Sequence, residues 1–185
     1  MKKYPSCLLF VLLTFMFIFM GNILKAQDVK FIGAAKCKMC HNSEAAGQQY
    51  KIWAASKHAN SMASLKSEKA LEWAKKNNVA DPSTEAKCLD CHSTFGPSNV
   101  SLIEEGFDFA ANHAVSCETC HGPGSAYKTK SIMQDLAKSK ENGLVIPDQK
   151  ICEKCHNNPE NPFMKPFDFE AAKKIIAHPK PKVEE

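Results

Sequence analysis

Cys37-Lys38-Met39-Cys40-His41, Cys88-Leu89-Asp90-Cys91-His92, Cys117-Glu118-Thr119-Cys120-His121 and Cys152-Glu153-Lys154-Cys155-His156 are four copies of one five-residue pattern. Cys-x-x-Cys-His is the attachment signature of a c-type haem. Residues three and four apart share a helix face, so the first Cys can meet the second Cys and the following His across one porphyrin. The thiols form thioethers to the haem vinyl groups, and the imidazole becomes the proximal iron ligand. A zinc ribbon also repeats Cys-x-x-Cys, but gives no reason for a His after every second Cys. A disulfide framework leaves the same histidines unexplained.

Outward from the motifs, the cysteine count agrees. The chain has 9 Cys; the motifs use all but Cys7, which lies in a segment expected to be removed. Lys2 and Lys3 precede an apolar stretch, Leu8 to Met20, and Leu24-Lys25-Ala26 reads as a cleavage site. That is the layout of a secretory signal peptide over residues 1–26, with residues 27–185 as one tetrahaem domain. The alternative is an uncleaved anchor, the only route by which this sequence would hold a membrane. Export to the periplasm suits covalent haem attachment.

Charge excludes one function class. All 24 basic residues are Lys, and losing Lys2, Lys3 and Lys25 leaves 21 Lys against 20 acidic residues. Ionised haem propionates carry the balance to the acidic side, so the formal net charge of +4 is no argument for nucleic acid.

Between the motifs the chain reads as helix and turn. Val29 to Gly33 is an extended lead-in. Ser43 to Lys66 lacks Pro and places Tyr50, Ala54, His58, Met62 and Leu65 on one stripe bordered by Trp53, which predicts one long helix. A second helix is expected over Glu68 to Lys76, ended by Asn77, Asn78, Asp81 and Pro82. Phe95-Gly96-Pro97 reads as a turn, and Phe107 to Val115 as a buried one. Gly122-Pro123-Gly124 breaks the third motif, and Ser125 to Lys140 is helix-like again. A last helix, Phe169 to Ala177, is capped by Asp168 and places Phe167, Ala171, Ile175 and His178 on one inward face.

The 7 histidines match four irons closely. His41, His92, His121 and His156 are the proximal set, leaving His58, His113 and His178 as candidate distal ligands, since imidazole suits iron. The competing roles are a hydrogen-bonded core residue for His58 and a propionate partner for His113. Met133 can ligate haem iron but reads better as packing. Three distal histidines make three bis-histidine haems and leave one iron without a protein sixth ligand. An iron with that position open can take a small ligand such as nitric oxide; a closed one passes electrons only.

Taken together, the four motifs, Trp53 with His58-Ala59 after the first, Gly122-Pro123-Gly124 after the third and the C-terminal His178 resemble the tetrahaem cytochrome c-554 family, over nearly all of the mature chain. The resemblance implies three bis-histidine haems and one five-coordinate haem, the second in sequence, with His92 its sole protein ligand. It also implies distal roles for His58 and His178, and a redox-protein donor and acceptor. The family's best-known member takes electrons from hydroxylamine oxidoreductase, and nitric oxide reduction has been proposed for it. The expectation is therefore a mostly α, exported multihaem cytochrome with little or no β structure and a core of four covalent haem c groups. It would act as an electron carrier; the rival readings are a nitrogen-oxide reductase and a fixed relay subunit of a membrane redox complex.

Overall fold

A computed structural model describes residues 29–108 and 114–180. The expected signal segment and His113 lie outside the described residues. In chain order the helices are α1 (Ala34–His41), α2 (Gln49–Ala54), α3 (Ser61–Leu65), α4 (Glu68–Lys76), α5 (Ala86–His92), a 3₁₀ helix (Pro97–Leu102), α6 (Cys117–His121), α7 (Lys130–Met133), α8 (Leu136–Glu141), α9 (Gln149–His156) and α10 (Phe169–Ile176). Among the described residues there is no strand, only a parallel bridge between Phe31 and Ile103. None of these helices is long and apolar enough to cross a membrane. The chain is mostly helical, as expected.

Each Cys-x-x-Cys-His sits at the C-terminal end of its own helix, and in all four the His is the last helical residue. α4 runs over the expected residues because Ser67 caps its first turn by accepting from Ala70 N at 3.3 Å. Asp168 caps α10 in the same way, accepting from Ala171 N at 3.0 Å. Phe95-Gly96 forms the expected turn, but Pro97 then opens the 3₁₀ helix, its fixed φ suiting a first helical position.

Three expectations need correction. The helix over residues 43–66 is two short pieces. Gly47 and Gln48 take left-handed backbone angles (φ 93° and 55°), which delays α2 to Gln49. Ser56 and Asn60 then bond the local backbone, Asn60 Nδ2 donating to Ser56 O at 3.3 Å, and the helix opens into turns around His58. Residues 125–140 are split by Asp135, whose side chain accepts from Lys138 N and starts α8 afresh. The α10 face does not turn inward onto protein: Ile175 is 82% exposed, and Ala171 and His178 are exposed too.

The buried core lies in the first two thirds of the chain: Phe31, Ile32, Ala34, Leu65, Ala70, Ala74, Phe95, Val115 and Tyr127. Phe31 meets Phe95 edge-on at 5.7 Å, a favoured aromatic geometry. Polar bonds join the pieces around it. Trp53 Nε1 donates to Val115 O at 2.9 Å, and Val115 N donates to Ser61 Oγ at 3.0 Å. Thr94, two residues past the second motif, receives Ser116 N at 2.7 Å and donates its own N–H to Ala114 O at 3.0 Å. The second and third motifs are thereby tied to each other directly.

Candidate haem-binding site

Four attachment helices meet through their cysteines. The Cys37 thiol hydrogen-bonds Cys117, which together with burial pushes Cys37 up, so the first and third motifs touch. Cys120 is raised to about 11 by burial and then by Cys152, which places the third motif beside the fourth. Cys155 is pushed to about 12 by burial and by Cys91, which joins the fourth motif to the second. Among the described residues no disulfide joins any of the eight motif cysteines. Their spatial order is therefore first, third, fourth, second.

The histidines converge in pairs. The rings of His58 and His156 lie 5.9 Å apart, and those of His121 and His178 5.8 Å apart. Two imidazoles on opposite sides of one metal, each with a metal–nitrogen distance of about 2 Å, have ring centres roughly 6 Å apart. The observed separations therefore suit one iron between each pair. His178 also lies close enough to His41 to help lower it. Phe167 stacks on His156 at 4.7 Å and 13°, closing one side of that ring.

Hydrogen bonds fix which nitrogen of two proximal rings is free. His121 Nδ1 faces Val145 O at 2.9 Å, and His92 Nδ1 faces Ser61 O at 3.0 Å. A ring nitrogen against a carbonyl must carry the proton, so Nε2 keeps the lone pair that a metal takes. Burial lowers His121, with the Val145 bond opposing it and His178 and His41 adding to it. Burial also lowers His58, His156 and His41. Neutral imidazole is the ligating form.

These residues fit covalent haem. Cys-Cys-His triads stand on single helices, two histidine pairs have metal-spanning separations, and apolar side chains beside the motifs are uncovered by protein. Met39, Val145, Ile146 and Ile175 are all exposed, an apolar surface suited to a porphyrin face. Among the described residues no three His, Cys, Asp or Glu side chains converge on a point, which is not the tetrahedral clustering a zinc ribbon builds.

Residue type does not single out the supporting groups Gln49, Glu118 and the Ser61 and Val145 carbonyls, whereas Phe167 does lie on the face read as inward. Backbone carbonyls leave no trace in residue type. Gln49 is buried, and its Nε2 donates to Pro179 O at 3.0 Å, so it ties the C-terminal His178 segment to α2. Gly47 makes room for that approach, since a Cβ there would stand 3.1 Å from Pro179 O.

Residues 36–122 match the family described as cytochrome c554 and c-prime. Cytochrome c-554 of Nitrosomonas europaea is 30% identical over 153 residues, an alignment covering 73% of this chain and 61% of the relative. The chain thus spans about three fifths of the length of that relative. No solved structure matches it. With a Cys-x-x-Cys-His at the end of each of four helices and these two matches, the chain is similar to the cytochrome c554 family of c-type cytochromes, proteins that hold haem c covalently.

Proposed function

We propose that this protein is an exported tetrahaem cytochrome that carries electrons singly between two redox proteins in the periplasm. Cleavage after Ala26 would release the mature domain, residues 27–185. Cys37 and Cys40, Cys88 and Cys91, Cys117 and Cys120, and Cys152 and Cys155 are the attachment thiols. His41, His92, His121 and His156 are the proximal ligands. His58 and His178 are the distal ligands facing His156 and His121, as their ring separations support. His113 is the third distal ligand.

When bound, each haem supplies a one-electron iron couple. The polypeptide does the rest: it sets spacing, excludes water and selects ligands. The observation that carries the reading is the pair of imidazole separations, 5.9 Å for His58 and His156 and 5.8 Å for His121 and His178, each suited to one iron between the rings. Histidine pairs hold potentials below those of Met/His cytochromes, since Met raises the potential.

His92 differs from the two paired proximal rings. Its Nδ1 is held by Ser61 O and stands 3.0 Å from Ser64 Oγ, which orients the ring. His121 has the same kind of bond through Val145 O, so it is the family resemblance that supports the second motif as the position with one protein ligand. Low-temperature electron paramagnetic resonance should count three low-spin irons and one high-spin iron per chain; four low-spin irons would remove the open site. Carbon monoxide added to reduced protein separates the carrier from a nitrogen-oxide reductase. An unchanged spectrum leaves only the carrier, and a shift at one haem keeps a small-ligand site in play.

A further inference from the structure

Glu118 is 2% exposed, yet it carries a carboxylate. It is the first residue inside the third motif, on the five-residue α6. Its Oε1 accepts from Ile32 N at 3.0 Å and Gly124 N at 2.7 Å. Its Oε2 accepts from Gly33 N at 2.8 Å and, more weakly, from Ile32 N at 3.2 Å. Each of these hydrogen-bond partners is a donor, while the acidic Glu104 lies near enough to oppose the charge. A protonated carboxyl would have to aim its own O–H at an N–H, so the bonding pattern is that of the anion. Burial pushes the carboxyl up, and the three amides oppose that shift.

The partners are placed to matter. Ile32 and Gly33 immediately precede α1, the helix of the first motif, and Gly33 takes φ 84°, which a side chain tolerates poorly. Gly124 lets the carboxylate approach, because a Cβ there would meet Glu118 Oε1 and Ile32 Cδ1 at 3.0 Å. The clasp is extended by Lys30 N donating to Ser125 Oγ at 2.7 Å and Ser125 N donating to Lys30 O at 3.1 Å. One side chain therefore joins its own attachment helix to Gly33, 85 residues earlier at the start of another, and the cysteines Cys37 and Cys117 of the two helices lie together.

We propose that Glu118 is a positioning residue for the haems of the first and third motifs, a fixed buried anion that locks their two helices together and holds the potentials of both haems down. Charge interactions in a poorly solvated interior are weakly screened, and an anion favours the oxidised iron, which bears one more positive charge than the reduced. The haems of the second and fourth motifs lie farther along the contact order and feel it less. The inference rests on the four-haem reading.

The test compares purified holoprotein of wild type, Glu118→Gln and Glu118→Asp. Intact mass first counts haems, and spectroelectrochemical titration then resolves the midpoints. Glu118→Gln should raise two of four midpoints and leave the other two in place. At a fixed applied potential the reduced-to-oxidised ratio of those two should rise on the order of tenfold, about 59 mV for one electron. Glu118→Asp keeps the charge and should keep the wild-type midpoints. The inference is overturned if Glu118→Gln moves no midpoint, if it moves all four together, or if Glu118→Asp behaves like Glu118→Gln. Should Glu118→Gln fail to load haem, Glu118→Asp decides: four haems at wild-type midpoints support the proposal, and the same loading failure contradicts it. A wild-type chain lacking four haems sinks the underlying reading; four haems with midpoints indifferent to Glu118 sink this inference alone.

Discussion

Residues 30–34 and residues 144–180 both adjoin haem motifs, and the chain holds them by different means. The first segment is pinned by main-chain amides: Phe31 N to Leu102 O at 2.7 Å, Ile32 and Gly33 N to Glu118, and Lys30 N to Ser125 Oγ. Phe31, Ile32 and Ala34 are buried. Residues 144–180 contain no buried residue. Their contacts with the rest include the Val145 bonds to His121, the Pro179 carbonyl on Gln49, the two imidazole pairs, the motif cysteines Cys152 and Cys155, and Phe163 against Trp73 and Lys69. One end is held by buried main-chain bonds, the other by half-exposed side-chain contacts in which two imidazole pairs are prominent. With the ligation proposed above, iron would do in the C-terminal third what a hydrophobic core does elsewhere.

The severest way to break this contrast is to remove the haems. A chain prevented from attaching any haem should lose its cooperative thermal melt, because ligand binding and folding are coupled. Limited proteolysis of a Cys152→Ala/Cys155→Ala protein should cut first within residues 144–180, with residues 30–127 cut later. A C-terminal third that stays protected would show that it has a core of its own.

Next in size are the ligand variants. His58→Ala and His178→Ala should each convert one low-spin iron to high-spin, read by electron paramagnetic resonance, at different haems. If either leaves the spin count alone, that ring pair is packing only.

Smaller effects probe the pinned end. Gly124→Ala drives a methyl against Glu118 Oε1 and Ile32 Cδ1, and should cost about 1–3 kcal/mol in denaturant unfolding. A variant of wild-type stability would mean that the clasp is loose. The smallest expected effect is at α10, where Asp168→Ala deletes the cap on Ala171 N. A loss of about 1 kcal/mol is expected, with the spin count untouched.

Much of this was legible in residue type. The motifs announced themselves, α4 was readable between Ser67 and Asn77, and α10 began where Asp168 predicted. The long helix over residues 43–66 was not, because an every-fourth-residue stripe records periodicity and says nothing of Ser56 and Asn60 bonding the backbone between its halves. The inward face of α10 misled for another reason. Amphipathicity shows that a face seeks cover without saying whether protein or porphyrin supplies it. The Glu118 clasp was invisible because its partners Ile32 and Gly33 are bare amides far away in the sequence.

Intact mass of the mature protein purified from the periplasm, paired with its haem absorbance, tests the whole account most directly. The result predicted is one polypeptide beginning at Gln27 and heavier than its sequence by four haem c groups. A bare polypeptide, or one carrying zinc in their place, would contradict it.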